Sequence, residues 1–476
     1  MLFALASSIV SSVSVLAQGT PVAPATAPRP NIVYILTDDQ GWRDVGFHGS
    51  DIGTPNIDEL ARGGVRFEQY YAQPMCTPTR AALMTGRYPH RYGLQTIVIP
   101  SAGKYGLPTD ERLLPQILKE AGYATAIVGK WHLGHADRKY WPMQRGFDHQ
   151  YGPLLGEIDY FTHSAHGTRD WFRDEKPLKE NGYVTSLLGS EAVRYIESRD
   201  GRTPFFLYLA FTAPHSPYQV PKEAMAAYGA AADPARQSYM AMISAMDAEI
   251  GRVLAALQRK GLRENTLIVF QSDNGGPASA KFTGEIDMSK SKIPPDNKPY
   301  RDGKGTLYEG GTRVVGLANW PGRIPAGAAV DGPMHIVDML PTLAGLAGAS
   351  TTGTKPLDGV DVWPTISQGK PSPRTEVIYD IEPFRAAVRQ GDWKLIWQPT
   401  LPPKAELYNI ARDPSETTDV AAENPNVVAE LKRRIEELSK DAVPPLILGD
   451  AMPALKAQLF GSVALPEDLK AVEAEP

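Results

Sequence analysis

Two pairs of hard oxygen donors are the residues in this chain best suited to chemistry: Asp38-Asp39 and Asp273-Asn274. Each pair follows directly on a short apolar run rich in β-branched residues. Asn31 to Thr37 runs into the first pair, and Thr266 to Gln271, followed by Ser272, leads to the second. Such runs form buried strands, and ligands of open α/β sheets bind at the carboxyl ends of strands. An Asp-Asp pair alone is more often a turn or a helix cap; a second oxygen-rich strand end gives it a partner. Three carboxylates and an amide brought together repel one another unless a cation joins them. An all-oxygen set suits Ca²⁺ or Mg²⁺ rather than Zn²⁺, and such an ion acts as a Lewis acid on a substrate oxygen.

The elements that must position these residues alternate along the chain. Leu113 to Ala121 has helical spacing, and Tyr123 to Val128 reads as a strand that ends in Gly129-Lys130-Trp131-His132. Leu187 to Glu197 is helical, and Phe205 to Phe211 is a strand ending at Ala213-Pro214-His215. Gln237 to Lys260 is a long helix ahead of the Thr266 strand. This alternation predicts an α/β fold, a mostly parallel sheet between helices. Asp, His and Asn residues thus leave separate strands from the same kind of end. After about residue 370 the pattern changes to short strands at Glu376–Tyr379, Arg385–Arg389, Trp393–Trp397 and Glu406–Tyr408, with an amphipathic helix over Val427–Lys440. That predicts a smaller C-terminal antiparallel α+β subdomain, dividing the chain into 31–370 and 371–476.

Cys76 is the chain's one cysteine, so no intrachain disulfide forms. It opens Cys76-Thr77-Pro78-Thr79-Arg80-Ala81-Ala82-Leu83-Met84-Thr85-Gly86-Arg87. This dodecamer resembles the C-x-P-x-R-x-x-x-x-T-G-R signature of the type I sulfatases, with Thr79 where Ser is commoner. In that family a formylglycine-generating enzyme oxidises the cysteine to formylglycine. The hydrated aldehyde offers one hydroxyl as nucleophile and a second to expel the covalent intermediate. Gly122 to Gly134, with Lys130 and His132, resembles the family's second signature. Asn297-x-Pro299-x-Arg301-x-x-Lys304-x-x-x-x-Glu309-Gly310-Gly311-x-Arg313 resembles the lysine loop of its arylsulfatase B-like members. Leu407-Tyr408-Asn409 with Asp413-Pro414-x-Glu416 is similar to its small domain. Segments between Gly86 and His163 are similar to N-acetylgalactosamine-4-sulfatase.

The resemblance implies an alkaline-phosphatase-like fold and a sulfuric ester hydrolase. Its substrates would be sulfate monoesters of small molecules or glycans, such as N-acetylgalactosamine-4-sulfate. It implies that Asp38, Asp39, Asp273 and Asn274, with formylglycine-76, hold one Ca²⁺. Arg80, four residues into the helix, would hold the formylglycine hydroxyls, and Lys130 would contact both formylglycine and sulfate. His132 would take the proton of the non-attacking hydroxyl, His215 would protonate the leaving alcohol, and Lys304 would clamp the sulfate. Substrate binding would therefore fall to Lys130, His215 and Lys304. Glu157 departs from the family pattern; its carboxylate would repel an anionic substrate unless it turns away or pairs with a cation. His135, His163 and His166 lie near the candidate loops.

Composition bounds the alternatives. A formal net charge of −5, with lysine and arginine dispersed, gives no support for nucleic-acid binding. Residues 1–17 are apolar and small and read as a signal peptide, and 18–30 as a Pro/Ala/Thr-rich leader. No later stretch is apolar enough to span a bilayer, which predicts an exported, periplasmic or secreted protein. Two other readings remain: a phosphatase or phosphonate hydrolase of the same superfamily, and an inactive glycan-binding relative.

Overall fold

Asn31–Thr37 is buried along its whole length and lies inside a ten-stranded sheet. From edge to edge the strands are Ala328–Val330, Val65–Phe67, Gly316–Asn319, Thr266–Ser272, Asn31–Thr37, Phe205–Ala210, Ala124–Gly129, His149–Gly152, Phe172–Arg173 and Lys176–Pro177. The five from Thr266–Ser272 to His149–Gly152 are mutually parallel. Antiparallel pairs flank them on both sides. The computed structural model describes residues 29–452 except 230–232, 285, 287 and 288. The expected signal peptide, residues 18–28 of the leader and the end of the tail lie outside the described residues.

Register explains why the polar strand ends meet. Thr37 pairs with Ser272, Leu36 with Ala210, and Ala210 with Gly129. The chain therefore leaves four neighbouring strands at nearly one level, with Asp38, Asp273, Lys130 and the Ala213–His215 segment just beyond. The strands read as unbroken apolar runs because both faces are covered. Ile32, Tyr34 and Leu36 pack with the helices Cys76–Thr85, Leu114–Glu120 and Met339–Ala347. Val33 and Ile35 pack with Val184–Glu197 and Pro234–Arg259.

The expected α/β layering is present, with differences at the edges. The long helix begins at Pro234 rather than Gln237, because the Asp233 side chain accepts from the backbone N–H of Ala235 and Arg236 and Pro234 fits the first helical position. The helix ahead of strand Phe205–Ala210 starts at Val184, three residues before the expected Leu187. The edge strands, two to three residues long in most cases, carry no periodic signal of their own.

The C-terminal strands Glu376–Ile381, Ala386–Gln390, Trp393–Gln398 and Lys404–Asn409 form an antiparallel meander. One face, with Ile378, Val388, Leu395 and Leu407, joins the core of the large sheet beneath helix Pro425–Ser439. The other face, with Val377, Tyr379, Ala387, Ile396 and Tyr408, packs on Tyr71 and Leu307. At that second contact lies a buried ion cluster. Lys394 Nζ is 2.9 Å from Glu309 Oε1 and 2.8 Å from Glu416 Oε1. Tyr71 and Tyr379 each donate to Glu309, and Glu416 accepts from the Glu309 backbone N–H. Burial alone would raise the Glu309 pKa, but Lys394 and Arg313 bring it down to about 2.

Lys394→Met leaves two buried carboxylates without their shared cation, and it should lower unfolding stability by about 3–5 kcal/mol. A thermal or denaturant melt at neutral pH measures this; an unchanged midpoint would show that the cluster does not hold the two sheets together.

Candidate active site

The strand ends place three carboxylates against three cations in a fully buried shell. Lys130 Nζ lies 2.6 Å from Asp38 Oδ2, Lys304 Nζ 2.7 Å from Asp39 Oδ2, and Arg80 Nη2 2.8 Å from Asp273 Oδ2. Burial works against an ionised Asp38, yet Lys130, His215, Arg80 and Lys304 together hold it well below the usual carboxylate range. Asp273 is pushed up, by burial and then by the charge of Asp38, despite Arg80 and Lys130. For Lys304, burial lowers the pKa, but Asp39, Cys76 and Asp38 together outweigh it, and the ammonium is held more firmly than usual.

Cys76 begins the helix Cys76–Thr85, all ten residues of which are buried. Its Sγ lies 3.4 Å from Asp38 Oδ1 and 4.0 Å from Asp39 Oδ1. Burial, then Asp273, push the Cys76 thiol up, the opposite of what a thiolate nucleophile requires. Arg80, one helical turn on, also donates to the Lys130 carbonyl at 3.0 Å, tying the helix to the neighbouring strand end. The Thr79 hydroxyl donates to the Gln73 carbonyl, a contact that serine could make as well.

His132 is buried with φ of 59°, in the left-handed region. Its backbone is held by Leu154 O and Thr77 Oγ1, at 3.0 Å each. Nε2 lies 3.2 Å from the Ile99 carbonyl, so that nitrogen carries the proton. Nδ1 has no partner, and its lone pair is unspent. Burial, then Lys130 and Arg80, keep the ring neutral. A Cβ on Gly156 would lie 2.2 Å from His132 Cε1, so only glycine leaves this ring its room. His215 Nδ1 lies 2.6 Å from the Ser216 carbonyl and Nε2 3.5 Å from Asp39 Oδ2. Its pKa is lowered by burial and by Lys304.

The donor set fits a hard divalent cation. Ligand-capable atoms of Asp38, Asp39, Cys76 and His215 lie within 4.8 Å of one another. Asn274 donates to Asp39 Oδ1 at 2.8 Å, while its own Oδ1 is buried with no hydrogen-bond partner. A buried amide oxygen with unused lone pairs beside converging carboxylates is what an oxygen-seeking ion needs. His215, expected as a proton donor and substrate contact, thus sits within the same cluster.

Of these residues, Cys76, His132, His215 and Lys304 line a cavity of about 370 Å³. The Sulfatase family model matches residues 30–349. The chain belongs to the sulfatase family. Arylsulfatase J of Mus musculus is 36% identical over 475 residues, covering 88% of this chain and 77% of that protein. N-acetylgalactosamine-6-sulfatase of Rattus norvegicus is 35% identical over 383 residues, covering 76% of this chain and 69% of its own. The crystal structure of Ps i-CgsB in complex with k-i-k-neocarrahexaose superposes with a TM-score of 0.78 at 36% identity, covering 88% of this chain and 94% of the other. The PsFucS1 sulfatase from Pseudoalteromonas sp. gives 0.72 at 28%, with 87% and 90% covered.

This sulfatase is a sulfuric ester hydrolase, and its loops show which side chains reach the cavity. Glu157 and His166 both line the cavity 3.2 Å apart, so the carboxylate noted as a departure has a hydrogen-bond partner that offsets its charge when His166 is protonated. His135 and His163 instead bond to the carbonyls of Ser101 and Gly182. Lys298 is exposed outside the cavity, while Lys304 lines it. Sequence reasoning missed the braces behind the site. Asp44 accepts from Tyr239 Oη, Arg236 Nη1 and the Asp296 backbone N–H, each at 2.8 Å. Tyr239 in turn accepts from the Gly41 N–H, just past Asp39. Asn297 holds both the N–H and the carbonyl of Gly276, just past Asn274. Buried Asp44 thus joins the two loops that follow the Asp38-Asp39 and Asp273-Asn274 pairs, and no local pattern in the sequence signals it.

Gly156→Ala should displace the His132 ring while the backbone, which has no positive φ there, stays intact. A shift near 1 Å predicts a loss of roughly 10²-fold in sulfatase turnover with a thermal midpoint close to that of the parent. Equal activity in the two proteins would show that the ring position is not required.

Proposed function

We propose that the enzyme hydrolyses sulfate monoesters of glycans through a formylglycine made from Cys76, with one Ca²⁺ held by Asp38, Asp39, Asp273, Asn274 and residue 76. The observation that carries this reading is the position of Cys76 Sγ, 3.4 Å from Asp38, in a shell with Lys130, Lys304, Arg80 and the free Nδ1 lone pair of His132. That sulfur stands in for the oxygens of the hydrated aldehyde. The hydrate would supply a nucleophilic hydroxyl and a second one to release the sulfate. The metal, when bound, would supply Lewis-acid stabilisation of charge on the sulfate oxygens.

The chain's own residues take the remaining roles. Three buried negative and three buried positive formal charges cancel in the metal-free shell, so a divalent cation leaves it positive towards an anionic ester. Lys130 and Lys304, each on a carboxylate, would turn to the sulfate oxygens as compact charges. Arg80, anchored to Asp273 and the Lys130 carbonyl, would orient the hydroxyls on residue 76. His132, neutral with an open Nδ1, would accept the proton of the second hydroxyl. His215 would protonate the leaving oxygen; burial and Lys304 lower its pKa, and the charge of a bound sulfate supplies what favours its protonated form.

The oxygen-rich donor set weighs against the phosphatase reading, since two-zinc phosphatases draw on more histidine ligands. The relatives' names cover 6-sulfate and aryl sulfates rather than 4-sulfate in particular, so the substrate class is kept at sulfated glycans. Maturation would require a formylglycine-generating enzyme. No helix among the described residues is long and apolar enough to cross a membrane, in keeping with an exported enzyme.

A mass spectrum of the tryptic peptide containing residue 76, from protein made in its native host, should show a loss of ~18 Da relative to the thiol. An unmodified thiol throughout would exclude this mechanism. His215→Ala should cost at least roughly 10²-fold in kcat/KM on a sugar sulfate, whose alkoxide leaves poorly, and much less on nitrophenyl sulfate. Equal losses on both would remove His215 from the role of general acid.

A further inference from the structure

A second cavity, of about 580 Å³, has no lining residue in common with the first but is bordered by the same chain segments. The segment from Gln95 to Ile99 lines the second cavity with Gln95 and the catalytic one with Ile97. Arg385, on the wall of the second, donates to the carbonyl of Gly305, the residue after Lys304 on the wall of the first. Arg385 is itself paired with Glu382, 2.6 Å away, at the turn between the first two C-terminal strands. Between them, Phe384 is 65% exposed.

Exposed apolar surface concentrates on this face. Of the seven exposed large hydrophobic residues among the described ones, Ile97 lines the first cavity, Val443 and Leu448 line the second, and Phe384 stands between Pro383 and Arg385 of the second. Such clustering on a soluble protein marks a binding surface. Its chemistry is mixed rather than greasy. Trp397, whose ring carries Lys432 Nζ 4.1 Å from its centre, and Pro383 share the lining of the second cavity with Glu382, Arg385 and Gln95. A pyranose has the matching pattern, with apolar C–H faces that lie on aromatic rings and a rim of hydroxyls that bond to charged and amide side chains.

We propose that the two cavities form one groove, and that the enzyme takes a sulfated oligosaccharide rather than a lone sulfated sugar. The sulfated residue occupies the catalytic cavity. The neighbouring residues of the same saccharide chain cross Arg385 and lie against Phe384 and Trp397. This rests on the reading of the catalytic cavity as a glycan sulfate ester site. The occupant is a saccharide rather than a protein segment because the second cavity adjoins the catalytic one and its lining mixes ring surface with charged and amide side chains.

The test compares N-acetylgalactosamine 6-sulfate, the di-, tetra- and hexasaccharides of chondroitin 6-sulfate, and neocarra-oligosaccharides of the same lengths, with nitrophenyl sulfate as a short reference. In at least one series kcat/KM should rise about ten-fold from the shortest member to the tetrasaccharide. Phe384→Ala, an exposed change with no packing role, should lose about five-fold or more on the longer saccharides and stay within about two-fold on nitrophenyl sulfate. Length-independent kinetics in both series, or equal losses on short and long substrates, would overturn the groove. Calorimetry with the inactive Cys76→Ala protein reads the groove without turnover. Binding that tightens with length and weakens in Phe384→Ala supports it; binding that is absent or indifferent to length overturns it. Length-dependent binding by a parent enzyme that hydrolyses no sulfate ester would instead overturn the catalytic reading alone.

Discussion

Pairing of buried charge is the constraint on which the rest of this site depends. Asp38, Asp39 and Asp273 and their partners Arg80, Lys130 and Lys304 are all between 0% and 4% exposed. Removing six charges from water costs several kcal/mol per ion unless each finds a close partner. Each of the three carboxylates has one, at 2.6 to 2.8 Å. The partners come from different parts of the chain, so no loop can drift without stranding a charge in a low-dielectric interior. Rigidity here follows from electrostatics as much as from packing, and it is what a transition-state-stabilising site requires.

Lys304 shows how far that constraint reaches. It lies on a loop rather than a strand end, and that loop is fixed from two directions. A Cβ on Gly275 would lie 1.7 Å from the Gly310 carbonyl, so glycine alone permits the close approach that brings the Asn274 turn against the Lys304 loop. From below, Glu309 is bound by Lys394, Tyr71 and Tyr379. The C-terminal meander therefore takes part in the site through a second buried ion cluster, with none of its side chains in the charge shell. The antiparallel strands seen in the sequence as a separate subdomain share their core with the large sheet.

The strand ends were legible because a parallel strand covered on both faces must be an unbroken apolar run, and its polar successor marks the ligand end. Asn31–Thr37 has the same bounds in sequence and structure for that reason. The lysine loop was readable only through family resemblance, since nothing in the spacing of Lys298 and Lys304 separates an exposed lysine from a buried one. The braces Asp44, Tyr239 and Asn297 were not legible, because their partners lie about 20 to 250 residues away and no local pattern encodes such pairings. Glu157 falls between these cases: sequence exposed the conflict of a carboxylate near an anion site, and only the fold supplied His166 as its answer.

The Asp38-Asp39 pair carries a geometric problem that the backbone resolves. Successive side chains of an extended strand point to opposite faces, so adjacent aspartates continuing the strand could not both reach one centre. Yet Cys76 Sγ lies 3.4 Å from Asp38 and 4.0 Å from Asp39. The chain breaks the alternation at once: Asp39 has φ of 65°, a conformation that aspartate tolerates better than most residues but that still costs about 1 kcal/mol or more. Its N–H donates to Asp273 Oδ1 at 3.1 Å, so the carboxylate of the Asp273-Asn274 pair holds the strained residue in place. The two pairs are therefore coupled through the backbone before any ion joins them, and the second pair is as necessary to the shape of the first as to its charge.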